Sequence, residues 1–126
     1  MARELAPLGP IEAMTCDVTE PAACAALVRR ARDRFGSLDI LVNNAGISIV
    51  QPFLEHTLET WHRTWTINLT PMFLLGQHAA LVMVEQGHGG AIVNMASTNG
   101  HLGERGLAAY NASKGGRRAP HQYDGD

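Results

Sequence analysis

The sequence predicts an α/β fold in which helices cover both faces of a parallel sheet. The first observation is that short apolar runs, typical of buried strands, alternate with longer amphipathic runs, typical of helices. The second is that polar residues follow three of the apolar runs, at Asp17, at Asn43-Asn44 and at Ser97. Ligands of such sheets bind beyond the carboxyl ends of the strands, so we expect these residues to meet at one rim.

Local signals place the individual elements. The predicted strands are residues 11–16, 38–42 and 91–96, and the predicted helices are residues 20–35, residues 60–86 and a segment near Leu107. For the first helix, Thr19 is a candidate N-cap, Pro21 suits the first turn and Gly36 suits the end. In the second helix, Pro71 lacks a backbone N–H and therefore predicts a bend.

Composition restricts the classes of function. The 126 residues favour one domain, and an apolar fraction of 45% suffices for a packed core. A net charge of −2 gives no electrostatic reason to expect nucleic acid or a membrane surface as a partner. The chain has no run of about 18 apolar residues, so no membrane span is expected.

The cysteines and histidines give no sign of a disulfide framework or a metal site. Cys16 and Cys24 are the only cysteines and form no CxxC pair, which favours a reduced, cytoplasmic setting. The N-terminal residues contain no apolar core of the signal-peptide kind, which agrees with that setting. The six histidines are scattered without convincing ligand spacing, so we expect no bound metal.

Tyr110 and Lys114 lie four residues apart in the sequence Y-N-A-S-K, and Ser97 precedes Tyr110 by thirteen residues. Residues i and i+4 share a helix face, so the lysine ammonium is expected beside the phenol. A phenol serves as an acid/base near neutral pH only if its pKa falls well below about 10, and a nearby cation favours the phenolate. Ser97 would hold a substrate oxygen beside that phenol. The three residues therefore predict a site that moves a proton on and off a substrate oxygen.

Each motif also has a purely structural interpretation. Tyr110 and Lys114 could be an ordinary exposed helix pair, and Ser97 could simply cap the next turn. The segment Asn43-Asn44-Ala45-Gly46 could be only a turn, because Asn and Gly tolerate left-handed backbone. Asn68 could face solvent from its helix, or could lie beside the predicted bend where free carbonyl groups bind a water. The combined spacing and the strand-end context favour the functional interpretation.

Five motifs together carry a resemblance to a known family. They are Asp17-Val18, Asn43-Asn44-Ala45-Gly46, Asn68, the run Ile92-Val93-Asn94-Met95-Ala96-Ser97 and the run Tyr110-Asn111-Ala112-Ser113-Lys114. In order and spacing they closely resemble the short-chain dehydrogenases/reductases, over roughly residues 1–116. This resemblance implies a Rossmann-type, doubly wound parallel sheet and an NAD(P)-dependent enzyme that interconverts alcohols and carbonyls.

The resemblance also implies a role for each motif. Tyr110 would be the acid/base, Lys114 would lower its pKa and hold the nicotinamide ribose, Ser97 would position the substrate oxygen, and Asn68 would hold a relay water. For NAD or NADP, Asp17 would contact adenine and Asn44 would lie near the adenine ribose. The further implied cofactor contacts are Val18, Ala45, Gly46, Tyr110 and Lys114. The partner would be a small alcohol or carbonyl compound, and full-length relatives would form homo-oligomers.

The sequence departs from the family pattern at both ends. No glycine-rich turn of the T-G-x-x-x-G-x-G kind is present, and residues 117–126 are polar without a helical stripe. We therefore expect a partial Rossmann-type sheet that lacks its first two and its C-terminal strands, followed by a disordered tail over residues 117–126. We also hypothesise that the tail is a frameshift product and that Met1 is an internal start.

Three functions remain open at this point. The first is an oxidoreductase of the short-chain type. The second is a catalytically inert fragment that at most associates with subunits of that family. The third is a protein that binds the dinucleotide without turnover. With two strands absent, a bare edge on residues 38–42 and uncovered apolar helix faces predict low stability or aggregation.

Overall fold

The structure is a computed structural model that describes residues 4, 7 and 9–117. Its helices are α1 (Pro21–Phe35), α2 (Leu58–Asn68), α3 (Thr70–Glu85) and α4 (Ala108–Gly116). Its strands are β1 (Ile40–Asn43) and β2 (Ala91–Asn94), and short 3-10 turns occupy Phe53–Glu55 and Thr98–Gly100. The disorder predicted for residues 118–126 concerns positions outside the described residues.

The two strands are parallel neighbours, as the sequence predicted for the segments beginning at residues 38 and 91. Ile40 pairs with Ala91 at one end and Asn43 with Asn94 at the other. The side-chain amide of Asn43 donates to Oδ1 of Asn94 at 2.9 Å, so the last pair is joined by side chains as well as backbone. This register brings the carboxyl ends of both strands level, where the chain then turns toward Gly46 and Ser97.

The strand predicted for residues 11–16 does not form. A strand needs a neighbour to satisfy its backbone groups, and within the described residues no third strand pairs with β1 or β2. Instead, two ion pairs join the segment to α1, since Glu12 contacts Arg30 at 2.6 Å and Arg34 at 3.3 Å. The apolar composition of residues 11–16 was therefore not sufficient for a strand without a neighbouring strand to pair with.

The bounds of α1 agree with the prediction at one end only. Gly36 ends the helix in the left-handed conformation (φ 85°), and its N–H donates to the carbonyl of Arg32 at 2.7 Å. At the start, the N-cap is Glu20 rather than Thr19, and its side chain makes no capping bond. Thr19 is engaged elsewhere, since its N–H and its hydroxyl both donate to the carboxylate of Asp17.

The long helix predicted for residues 60–86 is two helices, broken at Leu69 where the Pro71 bend was expected. Thr57 caps α2 by accepting the N–H of Thr60, and Pro71 occupies the first turn of α3, where a missing N–H costs nothing. On α2, the rings of Trp61 and Trp65 stack with centroids 5.4 Å apart.

The stretch Leu58–Glu85 is long enough to span a membrane and contains an 18-residue window with a mean hydropathy of 1.4. Core helices of soluble proteins have the same composition, and here α3 packs on both α1 and β1. The prediction that the chain does not enter a membrane stays a prediction.

The hydrophobic core lies between α1 and α3. Cys24 and Val28 of α1 meet Leu75 and Val82 of α3, and all four are at most 7% exposed. Burying a side chain of the size of valine or leucine stabilises a fold by about 1.5–3 kcal/mol, so this small cluster is the main apolar contribution on that side of β1.

The strands themselves are poorly covered. Ile40 and Val42 of β1 are 62% and 53% exposed, and Ile92 and Val93 of β2 are also exposed. A strand edge with free backbone groups and apolar side chains is a template for pairing with another chain. The geometry therefore agrees with the bare edge expected from the sequence.

We predict that Ile40→Lys reduces self-association of the isolated chain. The side chain is already largely in water, so the added charge should cost little stability while repelling a second edge. Light scattering at matched concentrations measures the effect, with Ile40→Val as the apolar control. Equal aggregation of the two variants, or a cooperative melt of a monomeric wild-type chain, would contradict the prediction.

Candidate active site

A cleft of about 320 Å³ opens beside the carboxyl ends of the two strands. Four of the residues singled out in the sequence line it, namely Asn44, Gly46, Tyr110 and Lys114. The remaining lining residues are Ile47, Ser48, Met95 and Ala96. The strand ends and α4 therefore bring together, in one concave site, motifs more than sixty residues apart in the chain.

Tyr110 and Lys114 face the same way from α4. The ammonium nitrogen of Lys114 lies 5.6 Å from the centroid of the Tyr110 ring, as residues one helical turn apart should. Lys114 is buried, at 6% exposure, and its Nζ donates to the carbonyl oxygen of Met95 at 2.8 Å. Only one of its three donors is used by that bond, which leaves two for a ligand.

The charge of Lys114 is held in an unfavourable environment. Burial, and secondly the nearby charge of Arg117, lower the pKa of Lys114 below its usual value. Such perturbed groups concentrate in functional clefts, although structural ion networks perturb them too.

Asn68 is fully buried and does not face solvent. Its Oδ1 accepts the N–H of Ile47 at 2.7 Å, and its Nδ2 donates to the carbonyl of Ile47 at 2.9 Å and to Oγ of Ser113 at 3.0 Å. The side chain thus ties α2 to the loop after β1 and to α4. A Cβ on Gly46 would lie 3.2 Å from Oδ1 of Asn68, so the close approach of this loop favours glycine there.

Ser97 follows Ala96, the last lining residue of that segment, and is not itself among the residues that line the cleft. Its Oγ donates to Oδ1 of Asn99 at 3.1 Å and accepts the N–H of Asn99 at 3.2 Å, which is the turn-capping role considered from the sequence. The turn it caps, Thr98–Gly100, packs directly on α4: a Cβ on Gly100 would lie 2.9 Å from the carbonyl of Lys114. The turn that Ser97 caps therefore lies against α4, and the hydroxyl of Ser97 bonds to Asn99 rather than to Tyr110.

A second cavity of about 210 Å³ adjoins β1 on the side of α1 and α3. Val18 and Ala45, both implied as cofactor contacts, border it, and Asn44 borders this cavity and the cleft alike. Asp17 borders neither. Its carboxylate is exposed, and the two bonds from Thr19 lower the pKa of Asp17. The described residues contain no group of three or more His, Cys, Asp or Glu side chains that could hold a metal ion.

Arg117 is the residue that sequence reasoning missed. It was assigned to a disordered tail, yet it follows α4 directly, is 4% exposed, and donates to four backbone carbonyls. One of them is the carbonyl of Asn68, at 2.6 Å from Nε, where a relay water had been predicted. A carbonyl accepts two bonds, so one position there remains for water. The one feature of the sequence that could have indicated this placement is spacing, because Arg117 lies three residues after Lys114.

Comparison with known proteins places this geometry in context. A family model described as short chain dehydrogenase matches residues 1–119. The chain belongs to the short-chain dehydrogenase family. The match covers the strand ends, the α2–α3 break and the whole of α4, so the resemblance stated from the motifs is confirmed, and with it a partial Rossmann-type fold.

Relatives with assigned names are oxidoreductases. Sorbitol dehydrogenase from Cereibacter sphaeroides is 40% identical over 110 residues, which are 86% of this chain and 43% of that protein. Carbonyl reductase [NADPH] 2 from Sus scrofa is 43% identical over 86 residues, or 68% of this chain and 35% of that protein. The chain thus spans less than half the length of these relatives.

Solved structures agree with this placement. A short chain dehydrogenase from Mycobacterium smegmatis superposes with a TM-score of 0.88 at 36% identity, covering 92% of this chain and 49% of its own. A short-chain type dehydrogenase/reductase from Mycobacterium marinum gives a TM-score of 0.87 at 38% identity, covering 90% of this chain and 47% of its own.

We predict that Asn68→Ala destabilises the chain by about 2 kcal/mol or more. The change leaves the partly buried N–H and C=O of Ile47 without these partners, and an unsatisfied group costs about 1–3 kcal/mol when it is buried. Urea unfolding measures the loss. The matched control is Asn44→Ala at an exposed position, which we expect to change stability by no more than about 0.5 kcal/mol. Equal effects of the two substitutions would contradict the prediction.

We predict that Lys114 makes stability rise with pH. Its folded-state pKa is lowered, so between that value and the usual 10.5 the unfolded chain binds a proton that the folded chain does not. The penalty for charging the buried ammonium is present at lower pH and is relieved as the pH rises through this window. Lys114→Met removes the effect, so the free energy of unfolding of wild type relative to the variant should increase with pH. A flat difference would refute it.

Proposed function

We propose that this chain carries the proton-transfer site of an NAD(P)-dependent oxidoreductase, which interconverts an alcohol and a carbonyl with Tyr110 as the acid/base. The observation that carries the proposal is the joint placement of Tyr110 and Lys114 in one cleft at the strand ends. The Lys114 ammonium lies 5.6 Å from the centroid of the Tyr110 ring, so a cation and a phenol share one cleft, which is a pairing suited to proton transfer with a substrate oxygen.

The residues present fit the nicotinamide end of a dinucleotide. Gly46 lines the cleft without a side chain, and Lys114 keeps two free donors for ribose hydroxyls. Asn44 borders both cavities, so an extended ligand running from the cleft toward Val18 would pass it. No glycine-rich turn occurs in the sequence to receive a diphosphate at a helix N-terminus, so binding by this chain alone should be weak.

With the dinucleotide bound, the nicotinamide ring supplies or accepts the hydride. The protein's own part is to hold the substrate oxygen near Oη of Tyr110 and to move one proton there. In the reductive direction the phenol gives its proton to the oxygen as the carbonyl becomes an alcohol, and in the oxidative direction the phenolate accepts it. Lys114 keeps its ammonium beside the Tyr110 ring in both directions.

Ser97 would support the same oxygen after a rotation of its side chain. Its hydroxyl now bonds to Asn99, and turning about χ1 moves an Oγ between staggered positions without moving the backbone. The substrate hydrogen bond would replace the one to Asn99. Asn68, in turn, would hold a relay water at the free position on its carbonyl oxygen.

Specific observations also favour the second candidate, a catalytically inert chain that at most associates with family subunits. Lys114 is bonded to Met95, Ser97 is bonded to Asn99, and β1 has a bare edge that a strand of another subunit could cover. A third candidate is a protein that binds the dinucleotide without turnover. Such a protein would keep the cleft and have no use for Tyr110 as an acid/base.

We further propose that the chain is cytoplasmic, that its substrate is a small alcohol or carbonyl compound, and that full-length relatives form homo-oligomers.

Titration with NADH and with NADPH, followed by nicotinamide fluorescence, separates the candidates. Binding together with oxidation of the reduced dinucleotide by a panel of ketones and aldehydes supports the enzyme. Binding without oxidation supports the non-enzymatic binder. Absence of binding up to millimolar dinucleotide supports the inert chain.

We predict that Tyr110→Phe lowers turnover by about 10²-fold or more while leaving the dinucleotide affinity almost unchanged, because it removes the hydroxyl that transfers the proton and keeps the aromatic ring beside the cofactor. Initial rates of NAD(P)H oxidation and fluorescence titrations measure the two effects. Tyr123→Phe, the same change at the only other tyrosine, is the matched control and should behave as wild type. Full activity of Tyr110→Phe would remove Tyr110 from the mechanism.

A further inference from the structure

Arg117 gathers carbonyl groups from three parts of the fold. Its Nε donates to the carbonyl of Asn68 at the end of α2, and its Nη2 donates to that of Ala45 at 2.7 Å, in the loop after β1. Its Nη1 donates to Asn43 at 3.0 Å, the last residue of β1, and to Met95 at 3.1 Å, just beyond β2. Four of the five guanidinium N–H groups are therefore used on backbone atoms around the cleft.

The Met95 carbonyl is shared between two cations. It accepts Nζ of Lys114 at 2.8 Å and Nη1 of Arg117 at 3.1 Å, which fills both of its lone pairs. Both side chains are buried, at 6% and 4% exposure. Two like charges on one carbonyl oxygen oppose each other, so the position and the charge of Lys114 depend on where Arg117 is held.

We propose that Arg117 is a positioning residue of the candidate cleft, which sets where Lys114 lies by fixing the Met95 carbonyl and by opposing the ammonium charge. This role goes beyond stabilising the fold, because Arg117 acts on Lys114, the residue proposed to assist Tyr110. The role of Arg117 therefore rests on the proposed function, although its contacts do not require a bound dinucleotide.

Among the residues that the structure describes, two titratable side chains adjoin Lys114. Tyr110 lies on its own helix, and Arg117 follows that helix. Glu104, on the preceding loop, contacts Asn99 at 2.8 Å rather than Lys114. The direction of the shift at Lys114 agrees with the geometry, because burial and then Arg117 lower its pKa, and burial likewise lowers the pKa of Arg117.

The chain offers a selective probe, because Lys114 is its only lysine. Labelling with ¹³C-lysine gives one side-chain signal whose titration reports Lys114 alone. Replacing Arg117 by Met removes the charge and the donors, and Arg117→Gln removes the charge while keeping an amide donor. We expect both variants to shift the titration midpoint of the lysine upward, since one of the two causes of its depression is gone. The matched control Arg105→Met, at an exposed arginine, should not shift it.

Unchanged lysine midpoints in folded Arg117→Met and Arg117→Gln would overturn the proposal. The wild-type chain gives an independent test that needs no variant to fold. With ¹⁵N-arginine labelling, the Nε–H signal of Arg117 should move at the same pH as the lysine signal, because deprotonation of Lys114 changes the charge beside it. An Arg117 Nε–H signal that does not shift at the pH of the lysine midpoint would also overturn the proposal.

Dinucleotide titration of the same variants separates this proposal from the proposed function. A shifted lysine signal with no binding of NADH or NADPH, in wild type or variants, would uphold Arg117 as the positioning residue and reject the oxidoreductase site. A shifted signal accompanied by a changed dissociation constant would support both.

Discussion

The buried side chain of Asn68 is the contact on which the arrangement of the cleft depends. It satisfies both backbone groups of Ile47 and also donates to Ser113, so a single amide joins three segments that are far apart in sequence. It connects α4, through Ser113, to the loop that follows β1, which Arg117 at the end of α4 also contacts at Ala45. Backbone groups buried without partners are costly, so this amide specifies one position for the loop rather than several.

That connection explains why the cleft is well defined although the sheet is small. Two strands of four residues give little independent stability, and the core between α1 and α3 lies on one side only. The cleft is organised by polar contacts to backbone atoms, from Asn68, Lys114 and Arg117. Apolar packing between α1 and α3 thus stabilises the fold, while these polar contacts fix the geometry of the cleft.

The sequence predicted the parts of this architecture that depend on local chemistry. The parallel pairing of β1 with β2 follows from the alternation of strand-like and helical runs along the chain. The end of α1 at Gly36 and the interruption near Pro71 follow from residue types whose backbone preferences are narrow. The i, i+4 spacing likewise placed Tyr110 and Lys114 on one face.

The parts that depend on distant partners were not accessible in this way. Residues 11–16 have the composition of a strand, but a strand requires a neighbour, and composition does not report whether one exists. The bond from Ser97 to Asn99 and the burial of Arg117 depend on side-chain directions at a crowded rim, which spacing alone leaves open. An arginine in a polar run is normally solvated, so only the four nearby carbonyls reveal its different environment.

The stacked indoles of Trp61 and Trp65 make the intrinsic fluorescence of this molecule report on a single helix. They are its only tryptophans and both lie on α2, the helix that packs on α4 and ends at Asn68. Intrinsic emission from the chain therefore describes one helix at the back of the cleft rather than the molecule as a whole. A loss of that emission which precedes the loss of helical circular dichroism would mark α2 as a separately melting unit.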